Sequence, residues 1–349
     1  MPAGYATCNA LRNTAVTPNS VSYGPAEIQD AYKLPSASRG TGHTVAIVDA
    51  FNDPNAESDL QAYRTNYGLP TCTTANGCFK KVNQNGGTSS YPPSDIGWSA
   101  EISLDLDAAS ASCPNCKLLL VEATDNSFTN LETAVNKAAG LGATVISLSW
   151  GARGYDPVDA THSPYKHAGV PVFTSTGDNG YGGQYPATSR YVIAVGGTSL
   201  TAKPSTTRGW GETVWNDTAG ATGSGCSTAN PAVAPASYDT GCAGRAEADM
   251  SADADPLTGL RIYDTYGYSG WEVFGGTSLS SPLVAGAVAL RTNPSQLSTP
   301  QQVYSAAGKF FYGVKKGNDG TCSPAQLCTA RAGWDGPTGR GTPHFAALP

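Results

Sequence analysis

The sequence predicts an α/β fold in which helices cover both faces of a mainly parallel sheet. Apolar runs rich in β-branched residues alternate with stretches of helical spacing, an order typical of parallel sheets. The first run, Thr44–Ala50, has the composition of a strand that is buried on both faces. No internal repeat and no linker of low complexity interrupts the pattern, so we expect one large domain rather than two.

The predicted elements can be placed in chain order. Four further apolar runs predict strands at Lys117–Ala123, 143–150, 170–175 and 191–195. Helical spacing predicts helices at 54–67, 98–111, Phe128–Gly140, near 157–168 and at 278–292. Pro282 falls in the first turn of the last helix, where a missing N–H group is tolerated. Irregular or Gly-rich composition predicts loops and insertions at 1–28, 70–97, 201–245 and 310–349.

Composition and charge disfavour two kinds of partner. The 349 residues carry a net charge of -6, and the 21 Lys and Arg residues are dispersed without a basic run. Phosphate binding needs clustered positive charge, so nucleic acid is not an expected partner. No stretch reaches the roughly 18 consecutive apolar residues of a transmembrane helix, and we expect no membrane association.

Eight of the nine cysteines are close to one another in pairs, within loops rich in Gly, Asn, Ser and Pro. The pairs are Cys72/Cys78, Cys113/Cys116, Cys226/Cys242 and Cys322/Cys328, with Cys8 left over. This spacing indicates local disulfides and an oxidising compartment. The alternative is zinc, because Cys113 and Cys116 have ligand spacing, but no second such pair or nearby His completes a site. The first residues lack signal-peptide features, so we expect a secreted protein whose export segment has been removed.

Ser278 is a candidate nucleophile. It lies in the segment 275–282, where two glycines bring the backbone close to a ligand. The serine then falls in the first turn of a predicted helix, where free N–H groups and the helix dipole favour negative charge. The same residues also fit a simple helix cap made by Thr277 or Ser278.

Two acidic motifs accompany this serine. Glu101 and Asp105 are four residues apart, so they share one face of a predicted helix and are expected at the edge of its buried side. Neighbouring carboxyls repel as anions, which favours a shared proton in acid; the alternative is a solvated acidic face. Asp178 follows an apolar strand among glycines, where α/β proteins place their sites, although an ordinary turn has the same composition.

A nucleophilic serine needs a base, and the histidines are poor candidates. None of the four lies at a Gly-flanked helix start: they are His43, His162, His167 and His344. We expect each of them to be solvated. The carboxylates of Glu101 and Asp105 are the better candidates.

Together these segments resemble the sedolisin family of serine-carboxyl peptidases, from about Tyr23 to Pro343. The matching patterns, in the family's order, are at 101–105, 177–178, 195–198, 249–256, 275–282 and 333–339. Gly275 departs from the family, which carries a serine there. The resemblance implies a subtilisin-like fold and a secreted serine-type endopeptidase that acts on proteins or peptides.

The resemblance also implies a role for each matching residue. The implied catalytic residues are Ser278 as nucleophile, Glu101 as general base, Asp105 as the residue that orients Glu101, and Asp178 in the oxyanion hole. Asp49 and Trp150 match positions that extend the carboxyl network in some members. A carboxylate base can be ionised in acid, and Asp178 can donate a hydrogen bond only when protonated, so we expect an optimum at roughly pH 3–5.

Family members bind one calcium ion near the C-terminus, and the resemblance implies the same cofactor here. The matching ligands are the Asp335 carboxylate and the backbone carbonyls of Val314, Arg331 and Gly333. Gly313 stands where the family has a second aspartate. Calcium prefers anionic oxygens, so we expect a weakened site: the ion binds loosely, Asp319 substitutes, or no ion binds.

The resemblance divides the chain into an N-terminal arm, 1–28, and a peptidase domain, 29–349, whose calcium-site region lies near 311–343. The arm would be the remnant of a linker to a prodomain, the expected partner before maturation, and a monomer is the expected state. Three alternatives stay open. These are a catalytically silent binding module of the same fold, a tripeptidyl-peptidase, and a His-dependent subtilisin-type enzyme that works at neutral pH.

Overall fold

The structure is a computed structural model that describes residues 4–14, 22–159 and 163–345. The α-helices within these residues are α1 (Pro25–Tyr32), α2 (Ala56–Asn66), α3 (Ile96–Ser112), α4 (Phe128–Gly140), α5 (Thr277–Ala289) and α6 (Pro300–Ser305). The strands are β1 (Thr7–Cys8), β2 (Leu11–Arg12), β3 (Thr44–Ala50), β4 (Phe79–Asn83), β5 (Lys117–Ala123), β6 (Val145–Leu148), β7 (Trp150–Arg153), β8 (Val172–Ser175), β9 (Asn179–Tyr181), β10 (Gln184–Tyr185), β11 (Ile193–Lys203), β12 (Gly209–Val214), β13 (Ala221–Pro231), β14 (Gly244–Glu247), β15 (Met250–Asp253), β16 (Leu260–Asp264), β17 (Gly270–Gly275), β18 (Phe311–Tyr312) and β19 (Thr342–Pro343).

An eight-stranded sheet forms the centre of the fold. Its strand order is β12-β11-β8-β6-β3-β5-β4, and β15 also pairs with β11. Only the pairing of β11 with β12 is antiparallel. The register sets Asp49 of β3 opposite Glu122 of β5. Because parallel strands end at the same edge, the carboxyl ends of β3, β6 and β8 lie side by side.

Side chains that alternate along the strands divide the interior into two layers. In β3, Val45 and Ile47 pack with residues of α1, α2, α3 and α5. Ala46 and Val48 face the other way and pack with α4. Both α3 and α5 are buried nearly all round, as expected of helices in the middle of a large domain. Polar side chains on these two helices therefore lie in the interior.

The predicted fold class is confirmed. The bounds of β3, β5 and α4 are those expected from the sequence, and α2, α3 and α5 agree within a few residues. The predicted strand 143–150 is interrupted at Ser149, where β6 ends and β7 begins. The expected helix near 157–168 is wrong for the residues described there, which form turns and irregular chain. Pro164 stands in its middle and would remove a helical hydrogen bond; His162 lies outside the described residues.

All four segments predicted as irregular contain regular elements, including β12 and β13 within 201–245 and β18 and β19 within 310–349. Strand β4 lies within 70–97, and the arm 1–28 contains β1 and β2. Helix α1 begins at Pro25, inside the predicted arm, and continues past it. Strands β1, β2 and β4 are short, so periodicity gives little signal, and each is held by pairing with a partner far away in the sequence.

The four predicted disulfides are confirmed: Cys72–Cys78, Cys113–Cys116, Cys226–Cys242 and Cys322–Cys328. The Cys113–Cys116 bond rules out the zinc alternative for that pair, since zinc binds thiolates. Cys8 carries a free thiol. No helix in the described part of the chain has the length and apolar character needed to span a membrane.

Candidate active site

Four elements bring the candidate residues to one edge of the sheet. Asp49 is near the end of β3, Asp178 follows the end of β8, and Ser278 lies in the first turn of α5. Helix α3 packs against α5 and contributes Glu101 and Asp105. The site therefore lies at the carboxyl ends of parallel strands, where α/β folds place their ligands.

Ser278 is positioned by the sharp entry into α5. Gly276 precedes the helix with a φ of 87°, a left-handed conformation that favours glycine. The Ser278 side chain is buried, and its hydroxyl donates to the Ser149 carbonyl oxygen at 3.1 Å. The same hydroxyl is close enough to Glu101 to lower the pKa of that carboxyl. A rotation of the serine hydroxyl is therefore all that is needed to direct its proton toward Glu101.

Glu101 and Asp105 lie one turn apart on α3, and both are completely buried rather than at the edge of the helix's buried side. Burial raises the pKa of Glu101 well above its ordinary value, and the charge of Asp49 raises it further. Burial also raises the pKa of Asp105, and the neighbouring carboxyls of Asp49 and Glu101 add to this effect. Ser149 donates its hydroxyl to Oδ1 of Asp105 at 2.8 Å. Like charges this close favour one shared proton.

Asp49 and Trp150 border this pair. Asp49 is fully buried, and burial together with the charge of Glu122 raises its pKa to about 8. Neither carboxylate oxygen of Asp49 has a hydrogen-bond partner among the described residues. The Trp150 indole N–H donates to the Val48 carbonyl oxygen at 2.7 Å, so this side chain fixes the β3 backbone instead of bonding to a carboxyl.

Asp178 faces the start of α5. Its Oδ1 accepts from the Thr277 backbone N–H and from the Thr277 hydroxyl, both at 2.8 Å. Its Oδ2 has no such partner in the described structure and lies 2.7 Å from the position that a Cβ on Gly276 would take. Burial raises the pKa of Asp178 to about 7, against the lowering effect of the two Thr277 bonds. Below that pH the carboxyl can carry a proton on the free oxygen.

The described histidines lie elsewhere. His43 directly precedes β3. A ring nitrogen of His167 bonds to the Pro164 carbonyl oxygen at 2.7 Å, and His344 packs on the ring of Tyr312. None of these contacts involves Ser278 or the carboxyls of Glu101, Asp105 and Asp178.

The residues expected to hold calcium do not fit the ion well. Oδ1 of Asp335 accepts from the Thr338 backbone N–H and hydroxyl at 2.9 and 2.7 Å, and Oδ2 accepts from the Arg331 N–H at 3.0 Å. The guanidinium of Arg331 donates to the Trp334 carbonyl oxygen at 2.8 Å. The carboxylate thus holds a turn of the chain, beside a side chain that is itself a cation.

The other half of the expected calcium site has no carboxylate at position 313. Gly313 has no side chain, and the nearest atom to its would-be Cβ is Cε of Lys315 at 3.9 Å. Asp319 is buried, which raises its pKa to about 7, and Asp335 adds to this effect. Among the described residues, no three His, Cys, Asp or Glu side chains are grouped to hold a metal. Calcium takes about six to eight oxygen ligands, and this donor set falls short.

A serine at the start of a buried helix, facing buried carboxyls at the edge of a parallel sheet, defines a subtilisin-like α/β protein with a serine-carboxyl site. Residues 82–307 match the subtilase family. The chain is 30% identical to kumamolisin of Bacillus sp. (strain MN-32) over 92% of its own length and 62% of that protein, and 28% identical to sedolisin of Pseudomonas sp. (strain 101) over 93% and 60%. The chain therefore belongs to the subtilase family, and it is similar to the sedolisins over most of its length.

The structural comparison agrees with this assignment. The solved structure of Pseudomonas sedolisin, a serine-carboxyl proteinase, matches with a TM-score of 0.78 and 29% identity, over 95% of this chain and 97% of that one. The chain spans about three-fifths of the length of the curated relatives named above.

The structure brings the four residues expected at the site together, and it adds two, Ser149 and Thr277, to which the sequence assigned no role in the site. Ser149 bonds to Asp105 through its hydroxyl and to Ser278 through its carbonyl. Thr277 fixes Asp178 and also accepts the Gly177 N–H at 3.0 Å. Ser149 falls inside the apolar run 143–150, so no sequence signal marked it.

Proposed function

We propose that this chain is the catalytic domain of a secreted, acid-acting serine-carboxyl endopeptidase. The observation that carries the proposal is the position of Ser278 between two different carboxyl environments. On one side is the buried Glu101–Asp105 pair, and on the other is Asp178 with one free oxygen. The Glu101–Asp105 pair can take a proton, and Asp178 can donate one.

The reaction that this geometry supports is acyl transfer. Ser278 Oγ attacks the carbonyl carbon of a peptide bond while its proton passes to Glu101, and Asp105 orients Glu101 by sharing that proton. Protonated Asp178 donates to the oxygen that becomes negative. Glu101 then protonates the leaving amine, and water hydrolyses the acyl ester on Ser278. Asp49 borders this network and raises the pKa of Glu101. Trp150 holds the backbone of β3 next to it.

The pH dependence follows from the two proton positions. The base must have lost a proton, which gives the acid limb of the profile, and burial of Glu101 moves this limb above the ordinary range. Asp178 must keep its proton, which gives the alkaline limb near its pKa of about 7. We therefore place the optimum on the acid side of neutrality. The four disulfides support action in an oxidising, extracellular setting.

Cleavage of a denatured protein between about pH 2.5 and about pH 8.5 tests the proposal, with Ser278→Ala beside the parent protein. Acid cleavage that is lost in the variant is the expected result. A neutral optimum would transfer the role of base to a histidine. No cleavage by correctly folded protein at any pH would favour the silent binding module.

Calcium has no part in this mechanism. The single carboxylate at Asp335 is already bonded to the chain, so we propose that the fold is complete without the ion. Protein or peptide substrates are the proposed partners, together with a prodomain before maturation, and a monomer is the proposed state.

A further inference from the structure

A cavity of about 220 Å³ lies beyond the C-terminal end of α5. It is bordered by Met250 of β15, by the segment 296–306 that contains α6, and by the paired strands β18 and β19. Arg291, two residues after the end of α5, lines it as well. An α-helix rises about 1.5 Å per residue, which puts Arg291 about 20 Å from Ser278. The cavity is therefore separate from the candidate active site.

Most of the cavity wall is apolar. Met250, Leu297 and Phe345 are buried members of the main hydrophobic core. The other apolar side chains in the wall are those of Ala306, Phe310, Phe311 and Pro343. A cavity of about 150 Å³ with walls of this kind is large enough for benzene. The larger volume here can therefore hold one aromatic ring together with a short chain that carries a polar group.

Arg291 is a buried cation in this wall. The residue is 8% exposed, and its Nη2 donates to Oε1 of Gln296 at 3.0 Å. Its Nε has no hydrogen-bond partner among the described residues. None of the described residues that line the cavity is acidic, and burial lowers the pKa of Arg291. Because a buried charge without a partner is unfavourable, an anion in the cavity would stabilise this guanidinium.

Two further cations border the aromatic part of the wall. The Arg340 guanidinium lies 4.6 Å from the centre of the Phe311 ring, and the Lys309 ammonium lies 5.4 Å from that of Phe310. Arg340 is held in place because it donates to three carbonyl oxygens at the end of α6. The chain as a whole is acidic, with a net charge of -6. A local group of three cations therefore makes this cavity a place that attracts an anion.

We propose that this cavity binds a small carboxylate that carries one aromatic ring. The carboxylate accepts from the free Nε–H of Arg291 in a charge-assisted bond, and the ring packs against the phenylalanines of the wall. A ring alone leaves the cation without a partner, and a carboxylate alone leaves the apolar wall unfilled. Two sources supply this chemistry: a free arylalkanoic acid, and the last residue of a peptide that ends in Phe. The inference does not depend on the chemistry of Ser278.

The test measures binding by titration calorimetry at about pH 6, where such acids are ionised. It uses the full chain in its Ser278→Ala form. The probes are 3-phenylpropionate, its neutral analogue 3-phenylpropanamide, and N-acetylphenylalanine, which represents the end of a peptide. We expect 3-phenylpropionate to bind with a Kd of about 0.1–1 mM. The amide should bind about 10- to 100-fold more weakly, because it offers no charge to Arg291.

The two carboxylates distinguish the sources of the ligand. Tighter binding of N-acetylphenylalanine than of 3-phenylpropionate assigns the cavity to the C-terminal residue of a peptide. Tighter binding of 3-phenylpropionate assigns it to a free acid. Either result supports a site for an aromatic carboxylate.

Arg291→Met keeps an unbranched apolar side chain and removes the charge. Affinity for 3-phenylpropionate should fall by about 10- to 100-fold. Arg39→Met is the matched control, because Arg39 donates to the Thr292 hydroxyl at 3.3 Å but does not line the cavity. Its affinity should stay within about twofold.

Thermal melting separates binding from a structural role of Arg291. Without ligand, Arg291→Met should melt no lower than the protein that carries Arg291, because an unpartnered buried charge has been removed. Saturating 3-phenylpropionate should raise the melting temperature of the Arg291 protein only. If Arg291→Met melts lower, the acid and its amide decide, because that comparison changes nothing in the protein.

Several results would overturn the inference. These are no saturable binding of either carboxylate, equal affinity for the acid and the amide, and unchanged affinity in Arg291→Met. A probe that binds only after residues 346–349 are removed would show that the cavity serves the end of the chain itself, and would also overturn it. Because binding is measured without catalysis, none of these results bears on the proposed peptidase activity, which the cleavage of denatured protein tests separately.

Discussion

Asp178 and Thr277 form a two-point contact in which one carboxylate oxygen accepts both the backbone N–H and the hydroxyl of the threonine at 2.8 Å. This contact decides which oxygen can carry a proton. Oδ1 receives two hydrogen bonds and is the natural acceptor, so a proton resides on Oδ2. That oxygen faces the entry to α5 at Gly276, where an oxyanion would form.

Asp178→Asn should show whether hydrogen-bond donation by this side chain, rather than its protonation state as such, supports the reaction. An amide can accept from Thr277 through its oxygen and donate toward the oxyanion through its nitrogen, at any pH. We expect activity to persist above the pKa of about 7 that limits the parent enzyme. Asp178→Ala removes the donor and should lower kcat by about 10²- to 10³-fold. An alkaline limb that stays in place in Asp178→Asn would contradict this role.

Glu101→Gln should lower kcat by about 10²- to 10⁴-fold across the pH range, because the amide cannot accept the serine proton. Asp107→Asn is a matched control on the same helix. Asp107 is also buried, but it accepts the Tyr263 N–H at 3.0 Å, away from Ser278. The control should change the melting temperature and leave kcat within about twofold. Equal losses of kcat in Glu101→Gln and Asp107→Asn would mean that removing any buried carboxyl from α3 impairs the enzyme. That result would contradict the role of Glu101 as the base.

The parts of the fold that the sequence predicts well are those with a strong local pattern. Thr44–Ala50 and Lys117–Ala123 are uninterrupted apolar runs, and α4 has a single apolar face. These signals do not depend on distant residues, so their bounds agree with the structure. The catalytic roles expected at Ser278, Glu101 and Asp178 stay predictions, although the structure places the three residues together.

The parts that sequence reasoning missed depend on distant contacts. Glu101 was expected at the edge of a buried face, but α5 and β3 also pack on α3, and Glu101 is fully buried. The 7–12 stretch has no periodicity. Only the pairing of β1 with β7 and of β2 with β17 places it beside the candidate active site. Ser149 falls inside an apolar run, so its break in the strand could not be seen.

Calcium removal should have little effect on this protein. A chelator is expected to leave peptidase activity unchanged and to shift the melting temperature by less than about 1 °C, because no binding energy is lost. Gly313→Asp is the informative variant. The position has open space and an ordinary backbone, so the new carboxylate should produce stabilisation that depends on added calcium. A large loss of stability on chelation of the parent protein would contradict the proposal that the fold is complete without the ion.

The protein should be more stable in acid than at neutral pH. Burial raises the pKa of Asp49 and Glu247 to about 8 and that of Asp178 to about 7. A carboxyl whose pKa is raised in the folded state binds its proton more tightly there than in the unfolded chain, where the value is about 4. The stabilisation is therefore complete below about pH 4 and is lost as the pH rises toward about 8. We expect the melting temperature to fall by on the order of 5 °C between these limits.

Glu247→Gln should reduce that decline. Oε1 of Glu247 accepts the Gln184 N–H at 2.9 Å, a bond that the amide oxygen can keep, while the group no longer titrates. Asp239→Asn, at an exposed position, removes one negative charge as well and serves as the control. Melting curves of the Ser278→Ala form of each protein, recorded from about pH 4 to about pH 8, avoid self-cleavage. A decline that is identical in all of these proteins would show that Glu247 does not contribute. A melting temperature that rises with pH would mean that the buried carboxyls are ionised in the fold, and with them the proposed donor at Asp178.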